Sequence, residues 1–158
     1  MREATLVGSI EIAADPTTVY GILTDLARWE RFVVETRVPA RAATVRLSPG
    51  MTFRAWNHNG LWRWRTTTTV LEAVPHDRLV FRVSCLGEPV SVWRYDIVPT
   101  PRGSRVTEST RDLRGPAMVL LCLVTTGVLD RAEHSRRNIE RTLAALKAEA
   151  EAEQPKFS

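Results

Sequence analysis

The chain has 158 residues, and its 22 lysines and arginines against 18 aspartates and glutamates leave a formal net charge of +4. That length suits one domain able to bury close to about 70% of the surface its unfolded form exposes. The basic residues are dispersed, with no basic helix or aromatic-basic RNA motif, which argues against a nucleic-acid partner, and Cys85 and Cys122 read more simply as two buried thiols of a cytoplasmic protein than as a disulfide.

The first element is a strand over residues 5–12, with Leu6, Ile10 and Ile12 inward. A helix follows, with Asp15 as its cap, Pro16 in its first turn and Val19, Ile22 and Leu23 as its apolar stripe. A second helical piece begins near Asp25 and carries Leu26, Trp29 and Phe32 at spacings of three, which makes Trp29 a packing anchor. Six strand-like stretches then run over 34–47, 51–58, 61–73, 78–86, 90–99 and 104–113, separated by Pro- and Gly-rich punctuation. Asn59-Gly60, between two alternating runs, is the strongest hairpin signal among them.

Alternation decides what these strands enclose. In 61–70 it puts Trp62, Trp64, Thr66, Thr68 and Val70 on one side and Arg63 and Arg65 on the other; in 91–98 it sets Trp93, Tyr95 and Ile97 against Arg94 and Asp96. An inward face of Trp, Tyr and Thr can line a cavity as well as fill a core.

A last helix is expected from Gly115-Pro116 to about Glu151, with Val128, Ala132, Ile139, Leu143, Leu146 and Ala150 as one stripe against the concave face of the sheet. The domain therefore spans 1–152, with 153–158 as a frayed tail. The apolar run 117–129 is broken by Thr125, Thr126 and Gly127 and falls short of the roughly 20 residues a membrane span requires. It reads as a buried helix start, a lid over a cavity or a homodimer patch.

The order of strand, two short helices, six-strand meander and long C-terminal helix resembles the START-like or SRPBCC superfamily. Its polyketide cyclase/dehydrase branch is similar in local wording: Ile12-Ala13-Ala14-Asp15-Pro16-Thr17-Thr18-Val19-Tyr20, Asp25-Leu26-Ala27-Arg28-Trp29, Pro49-Gly50-Met51-Thr52-Phe53, the segment 57–64, Trp93-Arg94-Tyr95-Asp96-Ile97 and Gly103-Ser104-Arg105-Val106-Thr107-Glu108-Ser109. The resemblance covers about residues 3–150. It implies an α+β helix-grip fold: a curved antiparallel seven-stranded sheet wrapped around a long C-terminal helix, with two short helices after the first strand. It also implies a pocket between sheet and helix for a small hydrophobic molecule such as a lipid, a polyketide or an isoprenoid.

The inward faces supply candidates for the pocket wall: Phe53 and Asn57, then Trp62, Trp64 and Thr66, then Phe81, Trp93, Tyr95 and Glu108, with Ser135 and Ile139 from the helix. Asn57 has a competing role in capping the hairpin turn. Glu108 is the most informative polar candidate, because a buried carboxyl must be neutralised or paired. It either orients a ligand or moves protons with Tyr95 and Arg136, or it forms a structural ion pair with Arg136 or Arg111. His58, His76 and His134 stand without a second ligand at metal spacing, so neither a metal nor a cofactor is expected. No nucleophilic triad or phosphate loop is present either. Two functions follow, a binding module for an apolar ligand and a polyketide cyclase or dehydratase working through scattered pocket groups.

Overall fold

The computed structural model describes residues 5–33, 36–38, 46–126 and 131–153. Among them seven strands form one antiparallel sheet: β1 Thr5–Ile12, β2 Thr36–Arg37, β3 Thr52–Asn59, β4 Trp62–Val74, β5 Arg78–Cys85, β6 Glu88–Thr100 and β7 Gly103–Asp112. The helices are α1 Pro16–Thr24, α2 Trp29–Phe32, α3 Pro116–Thr126 and α4 Arg131–Glu153, with a 3-10 turn at Leu26–Arg28. The spatial order β1-β7-β6-β5-β4-β3-β2 is a meander whose last strand returns beside the first. The sheet curls into a half barrel around α4, which is the helix-grip α+β fold.

Local chemistry sets the entry into this architecture. Asp15 Oδ1 accepts from the Thr18 amide at 2.7 Å with Pro16 at the first helical position, so α1 starts capped. Val19, Ile22 and Leu23 are buried as its stripe. Trp29 is the anchor its spacing implies: its indole N–H donates to the Leu23 carbonyl at 2.9 Å, and its ring meets Phe53 and Phe81 at centroid separations of 5.4 and 5.3 Å.

Cross-strand register sorts the inner face into rows. One runs Leu6, Thr110, Trp93, Phe81, Val70; the next runs Gly8, Glu108, Tyr95, Leu79, Ala73. On the outer face Arg94 and Asp96 join in a two-pronged ion pair at 2.6 and 2.9 Å, which is the solvent side that alternation gives them.

Helix α4 buries Ser135, Ile139, Thr142, Leu143, Leu146 and Ala150, and lies chiefly along β1, with α1 and α2 beside it. Its C-terminal end is tied down, since Glu151 Oε1 accepts from the Ala13 amide at 2.9 Å and Lys147 donates to the Glu11 carbonyl at 2.8 Å. Arg28 pairs with Glu153 beyond them.

Several expectations need correction. The described part of the helix expected from Pro116 to Glu151 consists of α3, Pro116–Thr126, and α4, Arg131–Glu153, with 127–130 outside the described residues. Val128 lies outside the described residues, and Ala132 is exposed, because the first turn of α4 stands past the covered part of the sheet and burial begins at Ser135. Of the strand expected over 34–47, Thr36–Arg37 is seen as β2 among the described residues, and 34–35 and 39–45 lie outside them. The hairpin is where Asn59-Gly60 marked it, but Asn59 pairs with Trp62 and the turn is Gly60-Leu61, with Gly60 at φ 59°.

The approach of α4 to β1 depends on one missing side chain. A Cβ built on Gly8 would stand 2.5 Å from Ile139 Cγ2 and 3.4 Å from Leu143 Cδ1. Ile139 is β-branched and buried, so it has little freedom to yield. Gly8→Ala should therefore cost about 1–3 kcal/mol through overpacking, read as a lower denaturation midpoint in urea with an unchanged m-value.

Candidate functional site

Between α4 and the sheet the packing opens into two adjoining hollows, each of about 110 Å³. They share Trp64, Thr66, Val90, Ser91 and Trp93 as common wall. The outer hollow is closed by Leu6, Thr110 and Ser135, and at its mouth by Cys85, Cys122, Ala132 and the Asp112–Arg114 pair. The inner one reaches Trp29, Phe81, Tyr95 and Glu108 on the sheet side, Asn138 and Thr142 on α4, and Thr36 and Asn57 at the sheet edge.

The sequence candidates divide accordingly. Asn57, Trp64, Thr66, Phe81, Trp93, Tyr95, Glu108 and Ser135 line this space. Phe53 and Ile139 do not: Phe53 packs under the Trp29 ring and Ile139 against Gly8, so both serve the core. Trp62 has the right parity but sits beside the hairpin turn, past the end of the covered face, and is 47% exposed. Arg136 is exposed and paired with Glu133 at 3.2 Å, so it faces away from the carboxyl it was matched with.

Asn57 does not cap the turn. Its Oδ1 accepts from the Thr36 hydroxyl at 3.0 Å and its amide donates to Thr66 Oγ1 at 2.7 Å, which stitches β2, β3 and β4 at the cavity edge. The indole N–H of Trp93 donates to Ser91 Oγ at 3.0 Å and fixes that ring in the shared wall.

Asn138 and Thr142, with Ser135, form a polar line at helical spacing that a search for apolar stripes passes over. The two cysteines were also missed as lining groups. Burial, and secondarily Cys122, push the Cys85 thiol above its ordinary 9.0, so it stays protonated and makes a poor nucleophile. Arg114 grips Asp112 through Nε and Nη2 at 2.8 and 2.6 Å, which leaves the mouth polar but locally neutralised.

The chemistry concentrates at Glu108, which is 1% exposed. The Tyr95 hydroxyl donates to its Oε1 at 2.8 Å, while Oε2 has no hydrogen-bond partner. Desolvation raises the carboxyl from its ordinary 4.5 to about 8, against a smaller opposing pull from the Tyr95 hydrogen bond. Burial first, then the charge of Glu108, hold the Tyr95 hydroxyl well above its ordinary 10.0, so the phenol remains a neutral donor. With Oε1 accepting from Tyr95, the carboxyl proton falls to the buried Oε2 of a residue that lines the inner hollow. Near neutral pH this arrangement leaves an uncharged acid with one unused donor beside a hollow lined by aromatic rings and by hydroxyl and amide side chains.

A family model described as polyketide cyclase / dehydrase and lipid transport matches residues 3–151. No curated protein sequence matches the chain. Solved structures are similar in fold at low identity. Protein CV1439 of Chromobacterium violaceum is 14% identical with a TM-score of 0.71, over 93% of this chain and 97% of its own. Protein MLL2253 of Mesorhizobium loti is 14% identical with a TM-score of 0.69, over 96% and 100%. DynU16, a protein in the dynemicin biosynthetic locus, is 15% identical with a TM-score of 0.66, over 98% of this chain and 49% of its own. A sheet closed on one long helix, a hollow walled by Trp64 and Trp93, and a family match over nearly the whole length converge: the chain belongs to the polyketide cyclase / dehydrase and lipid transport family.

Proposed function

We propose that this protein binds a compact, largely apolar, uncharged molecule in the hollow between the sheet and α4, with an oxygen of that molecule accepting from Glu108. The observation that carries this reading is the buried carboxyl whose second oxygen lacks a partner, on a residue that lines the hollow beside Trp64, Phe81, Trp93 and Tyr95. An anion placed there would meet a desolvated group that is itself easily charged, whereas a ketone or similar acceptor satisfies it. Even taken together the two hollows fall below the roughly 300–1,000 Å³ of sites for drug-sized ligands. A short ring system therefore fits this space better than an extended lipid tail.

The same group supports a second reading, a cyclase or dehydratase. Aldol cyclisation or dehydration of a poly-β-ketone needs a proton delivered to a carbonyl or hydroxyl oxygen, and an acid that is still protonated near pH 7 can deliver it. Shape would hold the reactive conformer while Glu108 and Tyr95 handle the proton. Glu108→Gln separates the two readings. A binding module keeps its affinity, because the amide still donates, and loses about tenfold or more on Trp64→Ala or Trp93→Ala, which remove apolar wall. An enzyme keeps its binding on Glu108→Gln and loses turnover.

The pH dependence is equally specific. Affinity for a neutral aromatic ketone such as 2-acetylnaphthalene, followed by quenching of tryptophan fluorescence, should fall as pH rises through about 8, where Oε2 loses its proton. In Glu108→Gln that fall should vanish. Folding stability carries the same signature: the contribution of Glu108 is full below pH 4.5 and is lost as pH climbs to about 8. The difference between wild type and Glu108→Gln should therefore slope by up to about 1.4 kcal/mol per pH unit across that window, measured by urea unfolding. Glu151, whose carboxyl is lowered by its Lys147 and Ala13 hydrogen bonds, acts only on the acid side of that window and with the opposite sign.

A further inference from the structure

We infer that the end of the molecule holding the cavity mouth is a docking face for an anionic lipid surface. The antiparallel order brings the β3–β4 turn, the β5–β6 turn and the end of β7 to the same end of the sheet, and α3 follows directly from β7. The two turns and α3 carry exposed apolar side chains. Leu61 at the first turn is 100% exposed, Leu86 at the second 79%, and Leu120 on α3 64%, with Trp62, Val119 and Val124 exposed around them.

Helix α3, Pro116–Thr126, contains no charged residue. Separate turns and a helix converging on one end make a patch of the kind that marks an interaction surface. The outer hollow opens in its midst, between Cys122 of α3 and Cys85 beside Leu86. A molecule entering or leaving the cavity by this route passes through the patch.

The flanking charge selects the occupant. Among the described residues, Arg63 and Arg65 of β4 and Arg111 of β7 lie toward this end, Arg65 over the Trp56 ring, and Arg136 and Arg137 of α4 share the single carboxylate of Glu133, with Glu88 at the β5–β6 turn. Arg114 and Asp112 pair with each other. A second copy seated on this face by a two-fold axis would set arginine rims against each other, whereas an anionic bilayer attracts them at roughly 1 kcal/mol per basic side chain near its surface. No described helix is long and apolar enough to cross a membrane, so α3 would lie on the surface with Leu and Trp side chains in the headgroup boundary.

This inference goes beyond the reading of the cavity and stands without it, because docking is measured on the unliganded chain and does not involve Glu108. Flotation with phosphatidylcholine vesicles containing about 30% phosphatidylglycerol should carry the full chain upward, and pure phosphatidylcholine vesicles should carry about tenfold less. Leu61→Asp and Leu86→Asp change side chains that touch almost nothing in the fold, so circular dichroism should match wild type while vesicle binding falls about tenfold in each. Leu120→Asp should do the same from α3. Equal recovery with both kinds of vesicle, or binding unchanged in all three variants, would overturn the inference. So would a dimer in sedimentation velocity that Leu120→Asp dissolves while the wild type ignores vesicles, since the face would then belong to a second copy.

Discussion

One helix cannot fit closely against every strand of a sheet wider than itself, and the way this chain resolves that constraint determines the rest of its structure. At β1 the fit is tight, because Gly8 removes the side chain that would collide with Ile139. Helix α4 is also fastened at its C-terminal end, through Glu151 to Ala13 and through Lys147 to Glu11. Held at that edge, it leaves the inner faces of β4, β5 and β6 only partly covered. Trp29 and the short helices fill the gap at one end, and the hollow is what remains at the other.

Burial and function meet at Glu108. A carboxyl in the row between Gly8 and Tyr95 lies under α4 whatever its charge, since its neighbours along β7, Val106 and Thr110, are buried with it. Keeping it ionised there would need a cation within reach, and the side chain that approaches is the Tyr95 hydroxyl. Neutrality is therefore the consequence of packing, and a neutral acid in an aromatic recess discriminates among ligands by hydrogen-bond character more than by charge. This separates the chemistry deep in the cavity from the arginine-rich rim, which acts on surroundings outside it.

Most of the architecture was legible in the residues because strand alternation and turn signals are local. The parity of Trp64, Thr66, Trp93, Tyr95 and Glu108 follows from a period of two, and each of them does face inward. Where parity misled, the cause was position along the strand: Trp62 shares a side with Trp64, but nothing covers the sheet that close to the turn. Phe53 and Ile139 point inward as read, yet whether an inward residue meets a hollow or a neighbour depends on Trp29 and Gly8, which come from distant parts of the chain. The partner of Glu108 was misjudged for a related reason. Arg136 satisfies itself one turn away on its own helix, a local pairing that outcompetes any reach into the core. A polar line at Ser135, Asn138 and Thr142 carries no apolar signal to find.

Ligand choice and proton delivery both depend on Glu108 being a neutral donor inside the folded protein near pH 7. Carbon NMR of protein labelled at the glutamate carboxyl, with the Glu108 resonance assigned by its disappearance in Glu108→Gln, reads that ionisation directly. A midpoint near 8 is the result the structure predicts. A midpoint near the ordinary 4.5 would mean that water or a cation reaches the carboxyl, and the cavity would then hold a charged group unsuited to the ligands proposed for it.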